Sequence, residues 1–295
     1  MLSGIDTKTG QPVAIKVIEL DRLSKKDIAS IQSEVAILTG VDHPNIVKLV
    51  SSCFDAHHAY VITELVEGGE LFDSIITREY YSEADAQIVL RDLASALQYC
   101  HSRKIVHRDL KPENILLSSK GDDAIIKVID FGFAKRSEGD DAMLTTALGT
   151  PNYIAPEILN RQPYNEAVDM WSFGVIAYVL LCGYPPFHDE NHSELYKKIK
   201  KGFFVFDSPY WDNVSQSAKN LISGLIVLDP EKRMTVQDVL QHEWIVNTLP
   251  KKDITPAISE LRSNLARRRL KTGVRGILAL NKMKGLLVKK SDELI

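Results

Sequence analysis

The sequence predicts an α+β protein of two lobes, a small one rich in β-strand and a larger, mainly α-helical one, with a further helix at the C-terminus. Three observations carry that expectation. The β-branched runs "VAIKVIE" and "AYVITEL" fall in the first third of the chain, and such residues favour a pleated, half-buried surface. From Ser82 onward apolar residues recur at helical spacing instead. The 295 residues, 44% apolar and 25% charged, suffice to bury a sizeable core, which excludes a disordered or fibrous chain.

"VAIKVIE" places Lys16 in the middle of an otherwise apolar strand, where it is expected to be buried. "KKDIASIQSEVAIL" then sets Ile28, Ile31, Val35 and Leu38 on one helical face. After the strand "AYVITEL", the stretch "VEGGEL" breaks the pattern, so Gly68 and Gly69 mark the joint between lobes. Ser82 and Asp85 form a capping box ahead of Ala86, Val89, Leu90, Leu93, Ala96, Leu97 and Cys100. The final 49 residues differ in character, Pro250 and Pro256 punctuating a link to one more basic helix.

Cys53, Cys100 and Cys182 are far apart, odd in number and without metal-ligand spacing, so no disulfide or zinc site is expected and a reducing cytoplasmic or nuclear compartment follows. Trp171 to Phe187, the longest apolar stretch, contains Ser172, Gly174, Gly183 and two prolines, and falls short of the roughly 20 apolar residues of a membrane span. The start "MLSGIDTKTG" does not read as a signal peptide. A soluble chain with no transmembrane segment and no nucleic-acid partner is expected. The net charge of −3 hides an asymmetry: residues 247–295 carry 12 Lys+Arg against 4 Asp+Glu, or +8, so the other 246 residues sum to −11. An acidic body suits a basic substrate, and a basic tail an acidic partner; the two would also suit each other.

The densest chemical signal is "HRDLKPENIL" at 107–116, followed by "IDFGFAK" from 129 and "GTPNYIAPE" from 149. With "VAIK" upstream, these blocks resemble the eukaryotic protein kinase family in content, order and spacing, over residues 11–246. The resemblance implies a two-lobed kinase fold and phosphoryl transfer from ATP with Mg²⁺. It makes Asp109 the carboxylate that accepts the substrate hydroxyl's proton and Lys111 a cation beside the transferring phosphate. Asn114 and Asp130 become the Mg²⁺ ligands, and Lys16 holds the α- and β-phosphates while pairing with Glu34. For the adenosine, it places Thr63 at the back of the adenine pocket, the backbone of Glu64 and Val66 at the adenine edge, Ala14 and Leu116 on the two faces of the ring, and Glu70 near the ribose.

Plainer readings stand beside these. A lone strand lysine usually snorkels to solvent, and Lys16 escapes that reading only together with Glu34 and the later motifs. Glu70 alone is equally well a solvated surface charge. His107, Asp169 and the pair Glu157 and Arg233 read as internal braces without chemistry.

Within the resemblance, the lysine of "HRDLKPEN" marks the serine/threonine branch. Glu70 and Glu113 near the substrate groove imply a basic residue N-terminal to the target, and Val179, where some basophilic kinases carry a further acid, limits this to one dominant position of the type Arg-x-x-Ser/Thr. Arg108 would pair with phosphate placed on Thr146, or next Thr145, by an upstream activating kinase, while Thr150 contacts the catalytic residues. In the tail, Leu270, Val274, Ile277 and Met283 fall at positions 1, 5, 8 and 14 of a basic helix. That pattern resembles the autoinhibitory and calmodulin-binding segment of calcium/calmodulin-dependent protein kinases. An anionic membrane surface or nuclear import fits the same composition. No EF-hand loop occurs, so the calcium sensor would be a separate protein.

Kinases carry a glycine-rich loop ahead of the "VAIK" lysine, and this sequence has none; Met1 falls at about the valine that ends it. The expected domains are therefore a partial small lobe (1–66), a large lobe (67–246) and a regulatory tail (247–295). An incomplete gene or fragment is favoured over a truncated isoform or a chain without ATP chemistry, because the other catalytic residues are in place. The rival function is a pseudokinase or decoy that binds calmodulin or substrates without phosphorylating them.

Overall fold

The computed structural model describes residues 1–79, 81–121, 123–136, 151–250 and 253–267. Its small lobe is an antiparallel sheet of four strands, β1 (Leu2–Ile5), β2 (Pro12–Glu19), β3 (Leu49–Phe54) and β4 (His58–Glu64), in the order β1-β2-β4-β3. The register pairs Ala14 with Thr63 and Lys16 with Val61. Helix α1 (Lys25–Thr39) crosses the sheet, started by a capping box in which Ser24 and Asp27 bond each other's backbone N–H. Its buried face is Ile31, Glu34, Ile37 and Leu38. Ile28 and Val35, expected on that face, are only half-buried, because the helix is rotated to bring Glu34 toward Lys16.

Beyond the sheet, Gly68 N–H donates to Leu117 O and Leu117 N–H to Gly69 O, both at 2.9 Å. A Cβ at Gly68 would lie 2.4 Å from the Leu117 carbonyl oxygen, so the chain passes between the lobes where a side chain does not fit. The large lobe contains helices α2 (Leu71–Ile76), α3 (Glu83–Ser102), α4 (Pro156–Leu159), α5 (Ala167–Cys182), α6 (His192–Lys201), α7 (Gln216–Leu225), α8 (Val236–Gln241) and α9 (Glu243–Val246). Two short two-stranded antiparallel sheets accompany them, β5 (Ile105–Val106) with β8 (Lys135–Arg136) and, between these in sequence, the hairpin β6 (Ile115–Leu117) with β7 (Ile126–Val128).

The Ser82–Asp85 capping box opens α3 as the sequence predicts. Helix α5 is buried along its whole length from Val168 to Cys182, the mark of a helix enclosed by its own lobe. Gly174 allows this: a Cβ there would meet that of Leu225 at 2.7 Å. The three cysteines are free, Cys53 exposed and the other two buried. Among the described residues no helix is long and apolar enough to cross a membrane.

The described part of the tail adds a helix, α10, over residues 256–267. It lies on the large lobe, burying Ile254, Ala257, Ile258, Leu261 and Leu265. Ile254 N–H donates to Tyr81 O (3.0 Å), and Asn264 Nδ2 donates to Gly183 O (3.0 Å).

Candidate active site

Lys16, at the centre of β2, points its ammonium to Glu34 Oε1 on α1 at 3.4 Å. The expectation that Lys16 is buried needs correction, for its side chain is 41% exposed while that of Glu34 is 7% exposed. A long stem on the sheet carries the charge into an open cleft, so the helix carboxylate alone bears the desolvation. Burial pushes the Glu34 carboxyl above its ordinary value; the Lys16 charge opposes that, and the nearby Asp130 adds to it.

Asp130 follows β7 in a left-handed conformation, φ 62°, rare for a residue with a side chain. Gly132 N–H returns to its Oδ1 at 3.3 Å. A Cβ on Gly132 would lie 3.1 Å from Asp130 Oδ1 and 3.4 Å from Glu34 Oε2, so the two carboxylates converge over this glycine. Phe131 is buried against His107, ring centroids 4.9 Å apart.

The loop after β5 supplies the second half of the site. Asp109 Oδ2 accepts from Lys111 Nζ and from Asn114 Nδ2, the latter at 3.2 Å, and Asn114 Nδ2 also donates to Asp109 O at 2.8 Å. Asn114 O accepts from Ile129 N–H at 2.9 Å, which ties this loop to the residue preceding Asp130. Lys16, Glu34 and Asp130 on one side, and Asp109, Lys111 and Asn114 on the other, thus form one connected constellation. With its Nδ2 turned to Asp109, Asn114 presents its amide oxygen elsewhere, the atom a hard cation takes. No group of three or more His, Cys, Asp or Glu side chains forms a metal cage among the described residues. One amide and one carboxylate suit Mg²⁺, which is usually held by one or two side chains, water and substrate phosphates.

The braces are where the sequence places them. Asp169, wholly buried, accepts from the backbone N–H of His107 (2.9 Å) and Arg108 (2.8 Å), and lies 2.9 Å from His101 Nε2. Burial pushes its carboxyl up, but the His101 contact, the charges of His101 and His107 and the Arg108 N–H outweigh that and hold it below the usual range. His107 Nε2 lies 3.2 Å from Ile129 O, and its Nδ1 accepts from Asp109 N–H at 3.3 Å, so the imidazole braces the loop. Arg108 donates to the Phe133 carbonyl and, at 3.0 Å, its Nη1 donates to the Tyr164 hydroxyl. Arg233 holds Glu157 by two bonds, 2.7 and 3.1 Å.

Of the expected nucleotide-binding positions, Ala14 and Thr63 are paired across β2 and β4, and Leu116 on β6 is bridged to Glu70 at the start of α2. Thr63 Oγ1 donates to Glu64 O at 3.2 Å. The Glu64 side chain is occupied by Lys127 (2.7 Å) and Lys48 N–H (2.9 Å). Val66 packs against the core just ahead of the joint. Thr145, Thr146, Thr150, Leu270, Val274, Ile277 and Met283 lie outside the described residues.

Sequence reasoning missed the docking of α10. The signal is the helical spacing of Ile254, Ile258, Leu261 and Leu265, ahead of the basic run that drew attention. Between α10 and the large lobe lies a cavity of about 720 Å³, whose lining includes Glu113, Asp189, Glu190, Asp207, Glu260 and Arg267. It is acidic, and Glu113 and Val179 line it.

The protein kinase domain family matches residues 1–245. The chain belongs to the protein kinase family. It is 44% identical over 285 residues to calcium/calmodulin-dependent protein kinase type 1 of Macrobrachium nipponense, covering 96% of this chain and 82% of that protein. It is 48% identical over 257 residues to the human type 1B enzyme, covering 86% and 74%. The type 1 kinase of Caenorhabditis elegans is 43% identical over 279 residues, covering 94% and 79%. The chain is thus a protein serine/threonine kinase of the type 1 group, in a family that uses ATP and Mg²⁺.

Proposed function

We propose that this chain transfers the γ-phosphate of ATP to serine or threonine in proteins with a basic residue upstream, that its tail restrains it, and that calcium-loaded calmodulin releases the restraint. The constellation joining Lys16, Glu34 and Asp130 to Asp109, Lys111 and Asn114 carries the reading. Lys16, held by Glu34, binds the α- and β-phosphates. Ala14 and Leu116 take the adenine between them, Thr63 backs it, the Glu64 and Val66 backbone bonds its edge, and Glu70 meets the ribose. Asn114 and Asp130 are the Mg²⁺ ligands; the metal supplies neutralisation of charge on the phosphate oxygens. Asp109 accepts the proton of the attacking hydroxyl, and Lys111, already bonded to it, places a cation beside the group in transfer.

The acidic residues about the cavity support a basic substrate. Docking of α10 there supports restraint by residues 247–295 of a catalytic unit made of 1–66 and 67–246. Leu270, Val274, Ile277 and Met283 would anchor calmodulin, and Thr146 or Thr145 would receive activating phosphate opposite Arg108. A cytoplasmic workplace belongs to the same reading. The pseudokinase alternative draws no support from a site that keeps Lys16, Glu34, Asp109, Lys111, Asn114 and Asp130.

The test is phosphorylation of a peptide with arginine three residues before its serine, by the full chain and by a form ending at Pro250. The full chain is expected to need calcium and calmodulin, the shortened form neither, and alanine for the arginine to abolish transfer. Equal calcium dependence in both forms would overturn the regulatory half, and no transfer by either the catalytic half.

A further inference from the structure

Helix α1 faces the Asp130–Gly132 turn with two side chains one helical turn apart. Ser30 Oγ donates to Gly132 O at 3.3 Å. Four residues on, and hence on the same face, Glu34 sets Oε2 3.4 Å from where a Cβ on Gly132 would stand, while its Oε1 holds Lys16 at 3.4 Å. The geometry points to Ser30 as a positioning residue that fixes the distance between Lys16 and Asp130.

The electrostatics explain why an uncharged link is needed. Glu34 and Asp130 are like charges brought together over one glycine, and their repulsion drives the turn away from α1. Lys16 offsets this from the Glu34 side, where its ammonium meets Oε1 at 3.4 Å. Asp130 also keeps a left-handed backbone, a conformation that persists only where the surroundings hold it. A hydroxyl donating to the carbonyl of Gly132 ties the turn to the helix without adding charge. Ser30 touches neither the phosphates nor the metal in this scheme; it acts through Glu34 and Asp130. This inference rests on the proposed nucleotide site, and its test separates the two.

The full chain is compared with Ser30→Ala and Ser30→Thr in two measurements. Amide hydrogen exchange is followed without nucleotide, and a fluorescent ATP analogue is titrated at stepped Mg²⁺ concentrations. In Ser30→Ala, exchange at Gly132 and Ala134 is expected to quicken roughly two- to tenfold, the loss of one modest hydrogen bond. The Mg²⁺ concentration for half-saturation should rise by a similar factor, with exchange in α5 unchanged. Ser30→Thr restores both. Unchanged exchange at the turn, a change spread evenly over the small lobe, or failure of threonine to rescue overturns the role of Ser30. If the native chain binds no nucleotide, the functional reading fails, and the exchange comparison still decides Ser30.

Discussion

The Lys16 ammonium lies 3.4 Å from a carboxylate oxygen of Glu34, yet the lysine side chain is 41% exposed and the glutamate 7%. The pair is therefore lopsided: the lysine keeps much of its hydration, and the glutamate is ionised at a cost that Lys16 offsets in part.

A pH dependence follows. The Glu34 carboxyl is raised above 4.5, with burial the main cause. The native state therefore binds more protons than the unfolded state between 4.5 and the raised value, and stability falls as pH rises through that window. Glu34→Gln removes this slope and raises stability at neutral pH, while weakening nucleotide binding because Lys16 loses its anchor. Urea unfolding at stepped pH reads the effect; a native and a variant curve of equal slope would refute it.

The Arg233–Glu157 pair should behave oppositely. Both side chains are buried, 0% and 3% exposed, and Arg233 also donates to Val227 O (3.0 Å) and Ala167 O (2.7 Å). Arg233→Ala strands a buried carboxylate, and a loss of about 3–5 kcal/mol in denaturant unfolding is expected. A loss below about 1 kcal/mol, the level of a surface pair, would show that the carboxylate finds another partner.

Gly183 controls the seat of α10. It closes α5 at φ 88°, and a Cβ there would stand 2.2 Å from Ala257 O and 2.6 Å from Leu261 N. These are backbone atoms, so Gly183→Ala must displace the helix, besides straining its own turn by about 1 kcal/mol. Faster proteolysis between residues 250 and 260 and higher activity without calcium are expected, with no gain in a chain ending at Pro250. Native-like protection of the tail would contradict this.

The sequence makes legible what local chemistry dictates. The Ser82–Asp85 cap and the strand bearing Lys16 are written in local patterns, while the pairing with Glu34 and the bracing by Asp169 and His107 came through the resemblance to protein kinases. Tertiary context decides the rest. Rotation of α1 toward the cleft buries Glu34 and Ile37 rather than Ile28 and Val35, and period alone does not choose between such faces. The exposure of Lys16 depends on how far the cleft opens. The seat of α10 depends on Gly183 and Tyr81, which are remote in sequence from the tail.

The central claim is that Lys16, Asp109, Asn114 and Asp130 together serve one magnesium-bound nucleotide. Calorimetric titration of the native chain with ATP, with and without Mg²⁺, tests it most directly when repeated on Asp130→Asn. Mg²⁺ is expected to tighten binding to the native chain and to lose that effect in the variant, while the circular dichroism of the two stays the same. ATP binding that ignores Mg²⁺ in the native chain, or a variant that responds to it fully, would contradict the account.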